Sequence, residues 1–194
     1  MVNKKVTMYD IIGVGFMTAL VFVSSQISIP IPSIIGISRI HLGNAFCLLA
    51  GFLLGGWRGG LAAGLGSMFY DLTNPAYISD APITFINKFM MGFVCGQLAY
   101  AANAGGDRRV RNIVSGIAGS LTYVVLYLSK TVISDIFFLR AEVQTALIDI
   151  ATKGPTSLIN AAIAVIISVP LAFVLKKSLE HTTLYRKMLH LEMK

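Results

Sequence analysis

The chain has 194 residues, 55% of them apolar and 13% charged, with mean hydropathy +0.73 and a net charge of +7. A soluble domain carries about a quarter charged residues, so roughly half the usual charge is missing. That composition excludes disorder, collagen, coiled coil and the ordinary soluble enzyme, and it identifies an integral membrane protein. The basic residues cluster at the ends of apolar segments rather than in one patch, which argues against nucleic acid as a partner.

In chain order, the first apolar run predicts a helix over about 10–29, stopped by Pro30 and Pro32, which cannot donate the backbone hydrogen bonds of a helix. Lys4 and Lys5 ahead of it resemble a secretory signal, but the run is long and more spans follow, so it reads as a retained helix. A loop is expected from Pro30 to His41. The apolar stretch Leu42–Leu72 is interrupted by Gly55-Gly56-Trp57-Arg58-Gly59-Gly60, which predicts two short helices, about 42–55 and 59–72, joined by a tight turn. At 1.5 Å per residue each reaches only about 20 Å, which calls for tilt, helices slightly longer than these bounds, or a thinned bilayer.

A polar loop from Asp71 to Pro82 precedes a fourth helix at about 82–102. The basic turn 105–111 precedes a fifth, about 112–139. A loop of mixed charge is expected next, and Gly154-Pro155 opens a sixth helix at about 155–175, with Pro155 in its first turn. A basic tail, 176–194, follows. The expectation is therefore an all-α integral membrane protein: one domain of six transmembrane helices with both termini on the same side.

Charge selects the side. With the N-terminus cytoplasmic, the inner segments hold Lys4, Lys5, Arg58, Arg108, Arg109, Arg111, Lys176, Lys177, Arg186, Lys187 and Lys194, while the outer loops hold Arg39, Arg140 and Lys153. Eleven against three is a positive-inside bias that puts both termini in the cytoplasm.

Polar residues inside spans then become informative. Asn87 and Lys88 lie about two turns below the outer start of helix four. Lys130, Ser134 and Asp135 lie near the outer end of helix five, and Asn160 near the outer start of helix six. Asn44 opens helix two and Asp71 closes helix three. The intramembrane charge is thus expected in the outer half alone, the inner halves offering Ser, Thr, Gln97 and Cys. A lysine or aspartate at mid-bilayer costs about 2.5–3.5 kcal/mol on insertion scales, and such groups usually line a cavity or pathway. Individually, Lys88 and Lys130 could also snorkel outward or bridge to Asp71 and Asp135. Together, groups from four helices at one depth predict a solute pocket open to the outside. Without polar lining in the inner half, the pocket is not a through-channel. Cys47 and Cys95 read as buried small hydrophobes rather than a disulfide or metal pair.

Small residues offer close-packing faces. Gly15 and Ala19 form a small-xxx-small pair on helix one, a candidate docking face for a partner helix. Gly51, Gly55 and Gly59, then Gly56, Gly60 and Gly64, then Gly92 and Gly96, read mainly as internal packing.

With these features in place, the sequence resembles the S component of energy-coupling factor (ECF) vitamin transporters. The stretch Arg39-Ile40-His41-Leu42-Gly43-Asn44, continuing through Gly51-Phe52-Leu53-Leu54-Gly55 to Gly64-Leu65-Gly66-Ser67-Met68-Phe69-Tyr70-Asp71-Leu72, is similar to the riboflavin-type branch. The resemblance implies high-affinity capture of a B vitamin or precursor at the outer face of a bacterial plasma membrane. Candidate solutes are riboflavin, cobalamin, pyridoxine-like compounds and hydroxymethylpyrimidine. It further implies docking through helix one onto an EcfT scaffold carrying two EcfA-type ATPases. Those partners would use ATP and magnesium, while this chain would bind no cofactor or metal and catalyse nothing. The family's docking motif is usually Ala-xxx-Ala, and Gly15 keeps the first position small. The family's pocket regions correspond here to Arg39, His41, Asn44, Asp71, Asn74, Tyr77, Asn87, Lys88, Lys130, Asp135 and Asn160. The aromatic rings of Tyr70 and Tyr77 could stack on a flat solute or anchor at the interface. The two lysines and the arginine suit an anionic solute, but Asp71, Asp80 and Asp135 offset them. The competing expectation is a stand-alone oligomeric carrier or channel. An intramembrane enzyme lacks support, since no zinc-helix, nucleophile-elbow or phosphate-loop motif occurs.

Overall fold

The computed structural model describes residues 6–35, 37–101, 108–179 and 182. Six α-helices occur among them: α1 (Met8–Gln26), α2 (Gly43–Leu54), α3 (Gly56–Thr73), α4 (Ala81–Tyr100), α5 (Arg109–Ile133) and α6 (Val143–Leu179). Three segments, Met8–Gln26, Arg109–Phe138 and Val143–Leu179, are long and apolar enough to cross a membrane. Lys4 and Lys5, much of the basic turn, and nearly all of the tail beyond 179, with Arg186, Lys187 and Lys194, lie outside the described residues.

The first departure from an all-helical reading is a hairpin. Residues expected to end the first helix and form a loop instead make strands β1 (Ser28–Pro32) and β2 (Ile37–His41), paired antiparallel with Pro30 opposite Arg39 and Ser28 opposite His41. Isoleucine at 27, 29 and 31 alternates with period two, the signature of a strand. Both strands of a two-stranded sheet are edges, where proline is tolerated because it need not donate to a neighbour.

The short second helix lies inside the bundle, while the third, at 18 residues, is longer than its expected bounds. All of α2 except Phe46 is buried, and it packs on α1, α3, α4, α5 and α6. A helix apolar all round belongs in such a setting. Gly55, at φ 79°, joins α2 to α3 in a left-handed conformation that favours glycine. A Cβ on Gly96 of α4 would stand 2.4 Å from the Gly55 carbonyl carbon, so only glycine permits this approach. The glycines of α2, α3 and α4 are therefore packing residues, as their spacing suggests.

The second departure concerns α6. It starts at Val143, about three turns before the expected Gly154-Pro155 opening, and runs through both Pro155 and Pro170. The supposed mixed-charge loop is its first third, where Asp149 and Lys153 form an i,i+4 ion pair at 2.6 Å. Tertiary contacts outweigh the proline signal. Asp149 accepts from the Ile35 N–H (3.0 Å) and from the Ser33 hydroxyl, and Lys153 Nζ donates to the Ile35 carbonyl (2.8 Å). These bonds clip the hairpin turn to α6. A π-turn, Ser134–Phe138, ends α5 near the same place.

Charge at the other end of the bundle also departs from expectation. Asp10, in the capping box of α1, is buried and pairs with Arg58 at 3.0 Å, and Lys176 is buried with its ammonium 5.1 Å from the Tyr100 ring centroid. Buried charge is therefore not confined to the hairpin end, although at this end it tethers α1 and α6 to neighbouring elements. Cys47 and Cys95 are both free and buried in the core.

Candidate functional site

Where the hairpin meets the ends of α3, α4, α5 and α6, the molecule encloses a cavity of about 360 Å³. Small-molecule sites span about 300–1,000 Å³. Beneath it lies the apolar core of Cys47, Leu48, Met91 and Cys95, all fully buried. The cavity is a cup rather than a passage.

Lys88 forms the floor. Its side chain projects inward from the third turn of α4 and is 3% exposed. Nζ donates to Asn44 Oδ1 of α2 and sits 3.6 Å from the centroid of the Tyr123 ring on α5. A cation over an aromatic face gains electrostatic attraction without needing a counter-ion. Asn87 and Ser67 line the cavity beside it.

Arg39 closes one side. Its guanidinium carbon lies 4.4 Å from the Tyr70 centroid and 4.1 Å from that of Tyr77, and it forms an ion pair with Asp71 at 3.5 Å. Asp71 also interacts with the Thr84 hydroxyl. One cation from β2 thus draws together α3 and the α3–α4 connection. These tyrosine rings each present a face to Arg39, and both line the cavity.

The remaining expected residues fall into distinct settings. Lys130 does not bridge to Asp135; it pairs with Asp80 at 2.7 Å. Asp135, in the π-turn, is 2% exposed, and its carboxyl shares a side-chain hydrogen bond with Asp149. Asn160 holds the hairpin: its Oδ1 accepts from the His41 N–H (3.0 Å) and its Nδ2 donates to the Arg39 carbonyl (2.5 Å). Burial, with Lys88 and Arg39 nearby, holds the His41 imidazole well below its usual pKa, so the ring is neutral at physiological pH. Nine of the eleven residues expected at the site line the cavity: Arg39, His41, Asp71, Tyr77, Asn87, Lys88, Lys130, Asp135 and Asn160. The other two do not. Asn44 stands behind Lys88, and Asn74 shapes its loop by accepting from the Ala76 N–H (3.1 Å) and reaching the Tyr70 hydroxyl (3.5 Å).

Several lining residues escaped the sequence reading. Tyr123 and Tyr127 stack at 5.8 Å and continue through Thr131 and Ser134 as one polar stripe of α5. Their three- and four-residue spacing is the signal that could have found them. Lys153 was hidden by assigning the start of α6 to a loop, and Ser157, in the expected sixth helix, was not singled out. Among the described residues there is no cluster of His, Cys, Asp or Glu suited to a metal ion.

The family described as ECF-type riboflavin transporter, S component, matches residues 5–177. The chain belongs to this family. As an ECF S component it is a vitamin-binding membrane subunit of a transporter rather than an enzyme, and it works with an ECF module. The chain matches no curated protein.

Proposed function

We propose that this S component captures a ring-containing B vitamin, riboflavin or one of smaller size, in the cavity at the hairpin end. The observation that carries this reading is the cup itself: charged and polar side chains from β2, α3, α4, α5 and α6 share one hollow above the buried apolar core. Its volume, at the lower end of the small-molecule range, favours a solute of one to three rings over cobalamin. The hairpin end faces outward in this reading, supported by Arg58, Arg108, Arg109, Arg111, Lys176 and Lys177 at the opposite end. All six helices then cross the bacterial plasma membrane as one domain, with both termini cytoplasmic.

Delivery requires partners, an EcfT scaffold and two EcfA-type ATPases that hydrolyse magnesium-ATP. Gly15 and Ala19 support docking through α1, because both are exposed and a Cβ at Gly15 meets nothing within 4 Å. Mass spectrometry of small molecules released from the purified chain tests the capture step: a vitamin is expected, and a protein that neither carries nor binds one refutes it. Uptake in cells should require the ATPases. Solute flux through liposomes holding this chain alone would instead establish a stand-alone carrier.

A further inference from the structure

Helix α1 carries apolar residues on every side. Met17 and Val21 are buried against the core, while Ile11, Ile12, Phe16 and Val23 are exposed. Lipid tails are as apolar as a protein interior, so in a bilayer hydrophobic burial does not decide which face of such a helix turns inward. Its rotation about its own axis has to be set by something else.

Two contacts join α1 to α3. Midway along α1, a Cβ on Gly66 would stand 2.6 Å from the Thr18 carbonyl oxygen and 2.7 Å from Val21 Cβ, so the two backbones approach closely. That contact sets how near the helices lie. At the end remote from the hairpin the contact is ionic. Asp10, 4% exposed, pairs through Oδ1 with an Arg58 guanidinium nitrogen at 3.0 Å, and its Oδ2 accepts from the Thr7 N–H at 2.9 Å. Arg58 belongs to the first turn of α3, directly after the Gly55 turn. Breaking a buried ion pair by removing one partner is strongly destabilising. This contact therefore holds α1 to one angle in a way that an apolar contact does not.

The angle it selects has a consequence on the far side of the helix. At 3.6 residues per turn, Ala19 lies about 180° around α1 from Asp10, and Gly15 about 140°. With Asp10 turned to Arg58, the small pair points away from the bundle, and both residues are exposed. Rotation by one residue, about 100°, would take Asp10 off Arg58 and carry the small pair round toward the flank.

We propose that the Asp10–Arg58 ion pair is the rotational key of α1, aiming the Gly15 and Ala19 face at the scaffold subunit. The proposal rests on α1 being the docking face and adds what orients it. Asp10 and Arg58 are positioning residues: they act through the angle of α1 and need not touch the partner.

The test uses the full chain co-expressed with the EcfT scaffold and both ATPases. Asp10→Asn, Arg58→Gln and the charge-preserving Arg58→Lys are compared with the unaltered protein, with thermal melting as the folding check. Two quantities are read. One is the amount of scaffold that co-purifies. The other is the oxygen accessibility of a nitroxide attached at Ala19→Cys in the lipid-embedded chain, which a loss of stability without rotation would not move. Asp10→Asn and Arg58→Gln should each lower the co-purified scaffold about tenfold or more and lower the accessibility at position 19, whereas Arg58→Lys should retain most of both. Should Asp10→Asn not fold, Arg58→Gln, altered at a half-buried position, gives the same comparison. Unchanged accessibility at position 19 in a folded variant, or equal losses in Arg58→Lys and Arg58→Gln, overturns the inference. Gly15→Trp separates it from the reading beneath it. If Gly15→Trp loses the scaffold while Asp10→Asn and Arg58→Gln keep it, the rotational key alone is overturned. If Gly15→Trp keeps the scaffold, docking through α1 falls and the key falls with it.

Discussion

Asn160→Ala tests whether one amide couples α6 to the hairpin that walls the cavity. The substitution removes the acceptor of the His41 N–H and the donor to the Arg39 carbonyl, two backbone groups of β2. Leaving a buried polar group unpaired costs about 1–3 kcal/mol. Asn160 lines the cavity, so water can reach the vacated positions and the lower end applies to each. The sum is about 2 kcal/mol, which corresponds to a roughly thirtyfold rise in local opening of the hairpin. Hydrogen exchange at the His41 amide reads that opening directly. Protection there should fall by about this factor, while amides within α2, which make no contact with Asn160 through these bonds, keep theirs. The Asp149 and Lys153 bonds to residues 33–35 remain, so the hairpin should loosen rather than detach. Unchanged protection at His41 in a correctly folded variant would refute the argument that Asn160 positions the hairpin.

Gly15→Trp should leave vitamin binding unchanged, since the fold has open space there, but abolish ATPase-dependent uptake; uptake at the unaltered rate in a well-expressed variant would remove α1 as the docking face. Gly96→Leu should destabilise the chain by about 3 kcal/mol or more, read as a lowered melting temperature, because even the first added carbon meets the Gly55 backbone. His41 has a depressed pKa when folded, so its stabilising contribution is complete above the usual value of about 6.5 and is lost as pH falls from there toward the folded value. Melting temperature should therefore decline on acidification below about pH 6.5, and His41→Gln should flatten that part of the profile. An identical decline in His41→Gln would assign the effect to other groups.

Much of the site was legible because the bilayer penalises charge. Lys88, Asp135 and Asn160 are conspicuous within otherwise apolar runs, and their positions near one end of successive helices already implied a common hollow. Their roles were not legible. Asn160 looks like a solute ligand in the chain, yet both ends of its amide are committed to β2. Lys130 and Asp135 are five residues apart and invited a bridge, but Asp80, fifty residues away, takes the lysine.

By itself the sequence determined the membrane class, the existence of six helices, the glycine-mediated packing of α2, α3 and α4, and nine of the residues around the cavity. Hydropathy, helical period and residue size are local quantities, and they suffice for those conclusions. Tertiary structure decided what depends on distant partners. It placed α2 inside the bundle, folded an apparent loop into β1 and β2, and extended α6 through Pro155 by anchoring Asp149 and Lys153 to the hairpin turn. It also chose the ion pairs, joining Arg39 to Asp71 and Lys130 to Asp80. The physical reason is that buried charges are satisfied by whichever opposite group the packed backbone brings within a few ångströms, and separation along the chain does not measure that distance.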